Sequence, residues 1–426
     1  MNRAYHIPAG VAPKHTIELE KKEKKITFIS ELFKRYGYRP VQTPTFEYYD
    51  LFSQVEGTID VDQMIKLVDQ DGKILVLRPD ATIPIARMAA QNNGNDSYYK
   101  FYYTTNVFRM NERYPSSESR EFTQTGIEFF GKGGLEADLE VIILAIESLK
   151  TCGFQQITLD LGQANFYKEF MNHMEIGRHE LMEIEKLIEQ KNEFELAQKL
   201  ATLNIEDRFK EIINTFPTLY GQPDAVLKKA EKMLTNDRMR SELDKLKQLY
   251  QMLEELGYEK YVSIDLGLIN HLNYYTGIIF HGYVQGYGKP VVVGGRYDHL
   301  SKQFGKDLPA TGFAIYMDAL LDADRDIPEK QSRTDIYVLF EKASLKKGMA
   351  VAKKLRDSGF IVETEIVDHL PNEKEWETNR NIPYIITVTL EQVTLISPNQ
   401  QPKRFNTIDE LFRETFPLQE DKRWTM

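Results

Sequence analysis

The sequence predicts an α+β fold: an antiparallel sheet flanked by helices, interrupted by a helical insertion and followed by a small C-terminal α/β domain. Three observations carry this expectation. Long aromatic runs joined by hairpin-compatible segments lie between Lys73 and Phe130 and return between Val262 and Tyr316, which is the pattern of antiparallel pairing. A block from residue 166 to about 258, full of Glu, Lys and Leu, separates them. Beyond the charged linker DADRDIPEKQSRT, apolar strand-like runs alternate with a helical stretch from about residue 334.

In chain order, Ile17, Leu19, Ile26, Ile29, Leu32 and Phe33 recur at helical spacing and Gly37 follows as a stop. The segment YRPVQTPTFEYYDLF is β-rich but broken by Pro40 and Pro44. Proline has no N–H for a central ladder, so this segment suits an edge strand or an interface. KILVLRP, YKFYYTTNVFRM and REFTQTGIEFF read as strands, with a helical stretch from Ile83 to Ala90 between the first two. Residues 135–151 read as a helix and QQITLDLG as a strand. After the helical insertion, VSIDLGL, GIIFHGYVQ, PVVVGGRY and ATGFAIY resume the strand pattern. In the tail, IYVLF, FIVETEI, YIITVT and VTLISP surround a helix over Lys346–Ser358. The expected domains are residues 1–325 and 334–426.

A chain of 426 residues is too long for one compact core, and 42% hydrophobic with 28% charged residues is ordinary for a soluble globular protein. No stretch approaches the roughly 20 apolar residues that span a bilayer. The start, MNRAYHIPAGVAPKH, lacks the apolar run of a secretory signal, so a cytoplasmic location is expected. Cys152 is the single cysteine, which excludes an internal disulfide and a thiolate metal cluster. It reads as a small buried thiol, and no metal or cofactor is expected. A net charge of -10 argues against a dedicated nucleic-acid surface, which is normally basic.

A site for a free amino acid must hold an ammonium, a carboxylate and a side chain, and burying those charges requires fixed counter-charges and donors. Three segments offer them. Leu77-Arg78-Pro79-Asp80-Ala81-Thr82 presents a carboxylate and a hydroxyl two residues apart, though Asp80 also reads as a helix cap. Phe108-Arg109 leads to Arg120–Glu128, where Gln124, Gly126 and Glu128 share one face of a strand, with the glycine leaving space between them. That face either meets solvent or lines a pocket, and Arg109 serves either an anionic group or a surface ion pair. Leu268–Gly277 carries Tyr274 and Tyr275, a ring wall for an imidazole or ordinary packing, and precedes the glycine-rich Val293–Asp298.

Taken together, LRPDAT, FR(loop)REFTQTGIE, NYYTG and GGRYD resemble, in order and approximate spacing, the class II histidyl-tRNA synthetases and their paralogues. The resemblance implies the class II aminoacyl-tRNA synthetase fold, with a six-stranded antiparallel sheet dimerised through the first helix and the Pro44 segment. It also implies histidine-binding roles for Asp80, Thr82, Arg109, Gln124, Glu128, Tyr274 and Tyr275.

The match breaks where the family handles ATP. Arg109 matches one family arginine, but the following Met110–Pro115 run is one residue longer than usual. A second arginine position holds Asn270, and the adjoining aspartate is Asn273. In Gly312–Leu320, Ala319 stands at the third arginine position and Tyr316 replaces a glycine. Each lost charge contact removes on the order of 100-fold to 1000-fold in rate, so catalysis is not expected. The paralogue that keeps the fold without this chemistry is the regulatory subunit of ATP phosphoribosyltransferase. The chain is similar to it in LRPDAT and in Phe216-Pro217-Thr218-Leu219-Tyr220-Gly221. The resemblance then implies a short-form catalytic partner, L-histidine as effector, a homodimer within a hetero-oligomer, and no tRNA or membrane partner. The alternatives are an active histidyl-tRNA synthetase and an RNA-binding or scaffold paralogue.

Overall fold

A computed structural model of the chain describes residues 6–55, 59–92, 97–110, 119–172, 174, 176–269, 274–324, 334–370, 384–397 and 400–415. The chain divides into two compact units, Met1–Asp326 and Ile327–Met426.

In the first unit, helix α1 (Thr16–Arg35) buries Ile29 and Phe33 while Ile17 and Leu19 stay exposed. Gly37, at φ 84°, takes the left-handed turn that ends it. The proline-broken segment becomes β1 (Arg39–Pro40), β2 (Phe46–Tyr48) and α2 (Tyr49–Ser53), followed by β3 (Lys66–Val68), β4 (Ile74–Leu77) and α3 (Thr82–Gln91). The hairpin β5 (Tyr99–Phe108) and β6 (Glu121–Phe130) leads to α4 (Leu135–Thr151) and β7 (Ile157–Gln163). The insertion comprises α5 (Ala164–Met171), α6 (Arg178–Glu189), α7 (Glu193–Ala201), α8 (Asp207–Thr215), β8 (Tyr220–Gly221), α9 (Pro223–Glu231) and α10 (Asp237–Glu255). Strands β9 (Val262–Asp265), β10 (Ile278–Val284), β11 (Val292–Arg296) and β12 (Ala310–Tyr316) and the short α11 (Met317–Asp322) complete the unit.

The main sheet has nine strands in the order β1-β5-β6-β12-β11-β10-β7-β9-β8. Its middle, from β5 to β7 in that order, is the expected six-stranded antiparallel array. The margins differ, because β1 joins β5 and β9 joins β7 in parallel. A parallel pair needs a long crossover, and the helical insertion is that crossover between β7 and β9. The insertion is not wholly helical either: Tyr220–Gly221 comes back to pair with β9. The KILV run also departs from expectation. It forms β4 in the middle of a separate three-stranded sheet, β2-β4-β3. Asp69 causes this by closing a tight turn, its Oδ1 accepting from the Asp71 and Lys73 N–H groups at 2.9 and 2.8 Å, so that β4 folds back on β3.

One face of the main sheet carries Ile127, Phe129, Phe313 and Ile315 into an apolar core with Phe33 of α1, Val141 and Leu144 of α4 and Leu246 of α10. The opposite face meets α3, whose Ile83, Ile85, Ala86 and Ala89 pack with Tyr99, Tyr103 and Phe130. This second core stops short of filling the face, and the gap is the cleft described below.

The second unit is a five-stranded sheet, β14 (Val362–Val367), β13 (Ile336–Glu341), β15 (Tyr384–Val388), β16 (Val393–Ile396) and β17 (Lys403–Phe405) in that order, with β13 parallel to both neighbours. Helices α12 (Leu345–Asp357) and α13 (Ile408–Thr415) contribute Val351, Leu355 and Leu411 to its core. Among the described residues, no helix is long and apolar enough to cross a membrane.

Candidate functional site

Period-two alternation places Gln124, Gly126 and Glu128 of β6 on one face, and the register sets them opposite Tyr316, Ala314 and Gly312 of β12. On the other side, Tyr103 of β5 lies opposite Gly126. These residues floor a narrow cleft. Its roof and walls come from the α3 entrance (Asp80, Thr82), the end of β5 (Arg109), the segment before β10 (Tyr274, Tyr275) and the end of β11 (Tyr297). All seven residues expected from the sequence therefore line one cleft. Asn270, Asn273 and the Asn111–Pro115 loop lie outside the described residues.

Glu128 is the centre of the cleft. Thr82 Oγ1 donates to its Oε1 at 2.7 Å, and the Tyr297 hydroxyl donates to its Oε2. Burial pushes the carboxyl up to about 8, partly offset by those two donors and assisted by the nearby charge of Asp80. Gly312 stands directly opposite, where an added Cβ would overlap Glu128 Oε2 and the Ile127 carbonyl. Only glycine leaves this carboxylate its place.

Asp80 caps a helix and also lines the cleft. Its Oδ1 accepts from the Ile83 N–H at 3.0 Å, at the start of α3. Burial raises its pKa, and the positive charge of Arg109 works against that rise. Among the described residues Arg109 makes no surface ion pair. Its Nε donates to the Pro79 carbonyl at 2.8 Å and its guanidinium sits 5.4 Å from the Phe122 ring centre, a cation–π contact. Gln124 is only 3% exposed and lines the cleft.

The Tyr274 and Tyr275 rings lie 4.7 Å apart, and Tyr274 meets Tyr297 edge-on at 5.6 Å. Burial raises the pKa of each of these phenols, and of Tyr103, so they remain neutral donors. The expectation that Gly126 leaves open space needs correction. An added Cβ there would meet the Phe313 carbonyl and the Tyr103 hydroxyl, so the glycine admits a tyrosine and not a ligand.

At the positions where the family handles ATP, Tyr316 stacks on Phe122 at 5.6 Å and Ala319 is buried in the apolar core. The neighbouring Asp318 accepts from the Thr123 N–H at 2.7 Å and pairs with Lys14 and Lys22. Arg296 of the GGRYD motif is also committed elsewhere, to Asp138 at 2.9 Å and to the Lys132 and Gly134 carbonyls.

Sequence reasoning missed Tyr103 and Tyr297 as lining residues. Tyr297 follows Arg296 inside a motif already singled out, and period-two counting from Arg109 along β5 reaches Tyr103. The constellation offers two carboxyl groups, an amide, a guanidinium and a cluster of phenols. That set is suited to a small zwitterion with an aromatic side chain that donates hydrogen bonds.

A family model described as histidyl-tRNA synthetase matches residues 11–320. Among curated proteins, the chain is 38% identical to an ATP phosphoribosyltransferase regulatory subunit from Oceanobacillus iheyensis, covering 79% of this chain and 83% of that one. It is 39% identical to the subunit of the same name from Acetivibrio thermocellus, over 83% and 84%. A solved structure described as an ATP phosphoribosyltransferase regulatory subunit/histidyl-tRNA synthetase from Bacillus halodurans superposes with a TM-score of 0.80 at 28% identity, covering 90% of this chain and 98% of that one. The histidyl-tRNA synthetase from Nostoc shares the fold, with a TM-score of 0.78 at 20% identity over 96% and 99%. The chain belongs to the histidyl-tRNA synthetase family and, within it, to the ATP phosphoribosyltransferase regulatory subunits.

Proposed function

We propose that this protein is the non-catalytic regulatory subunit of an ATP phosphoribosyltransferase in histidine biosynthesis, and that the cleft is its receptor for L-histidine. The relatives' name supports the regulatory role and a catalytic partner chain. In this reading the partner is a short-form catalytic subunit, and the phosphoribosyl transfer takes place on that chain.

The observation that carries the histidine reading is the unequal fate of the two halves of the site. The amino-acid side keeps Asp80, Gln124, Glu128 and the tyrosine wall in one cleft. The nucleotide side has Tyr316 against Phe122 and Ala319 in the core. Asp80 and Thr82 receive the ammonium, Gln124 and Glu128 read the imidazole against Tyr274 and Tyr275, and Arg109 faces the carboxylate. Bound histidine then reports the pathway's end product to the partner, a coupling typically worth about 1–3 kcal/mol and reciprocal in binding.

The assembly in this reading is a homodimer within a hetero-oligomer, joined through α1 and the Pro44 segment. Ile17 and Leu19 of α1 and Phe46 and Tyr48 of β2 leave apolar surface exposed there, at 49, 43, 55 and 53%. The complex works in the cytoplasm and does not use tRNA, in keeping with the net charge of -10.

Reconstitution with a short catalytic subunit, titrated with histidine, tests the proposal. The expected result is activity on mixing that histidine lowers. A catalytic subunit that gains nothing from this chain would sink the regulatory reading.

A further inference from the structure

Arg78, the arginine of the LRPDAT motif, is not among the residues that line the cleft, yet it stands where two of its walls join. Its main chain bonds two segments. The Arg78 N–H donates to the Thr45 carbonyl at 2.9 Å, and the Phe108 N–H donates to the Arg78 carbonyl at 3.1 Å. Its side chain bonds the same two segments a second time. Nη1 donates to the Thr43 and Pro44 carbonyls at 2.6 and 3.0 Å, and Nε donates to the Asn106 carbonyl at 2.8 Å. The cleft residues follow directly. Asp80 is two residues further on, and Arg109, the residue after Phe108, donates from its Nε to the Pro79 carbonyl at 2.8 Å.

A buried arginine normally answers a carboxylate, because taking the cation out of water is unfavourable. Arg78 is 5% exposed, and burial lowers its pKa. Glu47, the carboxylate whose charge favours it, is bonded by Arg87 instead, at 2.7 and 2.9 Å. The hydrogen bonds of Arg78 go to main-chain carbonyls on two separate segments. A rigid fork of donors can span them, whereas a lysine ammonium is a single point of charge. An apolar side chain would fill the same volume without the desolvation cost, so packing alone does not account for this arginine.

We infer that Arg78 is a positioning residue, which fixes Asp80 and Arg109 relative to each other so that the two together grip the ammonium and carboxylate of the ligand. The imidazole end of the cleft is set separately. Glu128 takes its place from the β6–β12 ladder opposite Gly312 and from Tyr297, and none of the bonds of Arg78 described above reaches those segments. Loosening Arg78 therefore weakens the hold on the amino-acid group and leaves the reading of the ring intact. This rests on the histidine reading of the cleft.

Two ligands separate these ends on the full chain. L-histidine is followed by calorimetry, and 4-methylimidazole, the same ring without the amino-acid group, by ligand-detected NMR. Arg78→Lys keeps the charge and loses the fork. It should bind L-histidine about 10-fold to 100-fold more weakly, the range for a hydrogen bond to a charged group, and bind 4-methylimidazole within about twofold of wild type. Arg78→Gln should show the same pattern with a larger loss for histidine. Arg87→Met is the control, because it breaks the pair with Glu47 on the neighbouring β2 strand and lowers the melting temperature. In that variant the ratio of the two affinities should stay at its wild-type value. The inference is overturned if Arg78→Lys weakens both ligands alike or leaves histidine affinity unchanged. It is equally overturned if Arg87→Met shifts the ratio as far as Arg78→Lys does, or if the wild type binds histidine and not the bare ring. A wild type that binds no histidine is a separate signature, which removes the histidine reading and this inference with it.

Discussion

The Tyr297 hydroxyl donates directly to Glu128 Oε2 while Thr82 donates to Oε1 at 2.7 Å, so both oxygens of the buried carboxyl group are held before any ligand arrives. Preorganisation of this kind lowers the ordering cost of binding. Tyr297→Phe removes one donor and keeps the ring that packs against Phe130 and Tyr274. A hydrogen bond to a charged group contributes about 1.5–3 kcal/mol, so histidine affinity should fall by roughly tenfold or more. Calorimetry on the folded variant measures it, and an unchanged affinity would remove Glu128 from the recognition scheme.

The pH dependence follows from the same carboxyl. Burial pushes it from 4.5 up to about 8, so in the empty cleft it holds a proton at neutral pH. A ligand N–H or ammonium needs the ionised form, and binding therefore releases a proton. Histidine affinity should rise as pH climbs from 7 towards 8, by at most about tenfold per unit, and flatten above. The free chain should show the opposite trend. A pKa raised in the folded state contributes stability below 4.5 and loses it as pH rises through about 8. Thermal unfolding of Glu128→Gln, scanned from pH 6 to 9, should be flatter than that of the wild type.

Much of this site was legible before folding, for a local reason. Gln124 and Glu128 are two strand steps apart on β6, and Asp80 and Thr82 flank one helix start, so their shared direction is a property of period and spacing. Motif position and period-two counting bring Tyr297 and Tyr103 near the site, but that they line the cleft depends on long-range register, for Tyr103 its pairing with Gly126. The parallel margins of the sheet were hidden for the same reason. Residue 166 to about 258 announces helices, but nothing local says that this block is a crossover returning β9 beside β7. Arg296 illustrates the converse: its motif marked the site, while its side chain serves Asp138.

Gly312→Ala probes the closest approach in the cleft. The added methyl would overlap Glu128 Oε2 and the Ile127 carbonyl, and neither can retreat without breaking the Tyr297 bond or the β6–β12 ladder. Overpacking of this kind costs about 1–3 kcal/mol. The melting temperature should drop by several degrees, with histidine binding lost in the surviving folded protein. A variant that still binds with native affinity would show that the carboxylate position is unimportant.

The nucleotide half should stay silent even when it is given room. Tyr316→Gly removes the ring that stacks on Phe122 but returns no cation, since Ala319 remains in the apolar core. With one preorganised charge contact missing, turnover falls by about 100-fold to 1000-fold. Neither the wild type nor this variant should support histidine-dependent pyrophosphate exchange, whereas histidine binding should survive in both. Measurable exchange in the wild type would return the chain to the synthetases.

Arg296 separates framework from recognition within the GGRYD motif. It is 5% exposed, its guanidinium meets Asp138 at 2.9 Å, and its remaining donors go to the Lys132 and Gly134 carbonyls and to Asp298. Burial raises the pKa of Asp138, and the arginine works against that rise. Arg296→Met strands a buried carboxylate, and breaking one side of such a pair costs about 3–5 kcal/mol. Replacing both partners with apolar groups is far milder, so Arg296→Met/Asp138→Leu should recover much of the lost melting temperature. Histidine affinity in the double variant should stay within about threefold of wild type, because neither side chain lines the cleft. A double variant that refolds to near-native stability yet fails to bind histidine would place Arg296 in recognition after all.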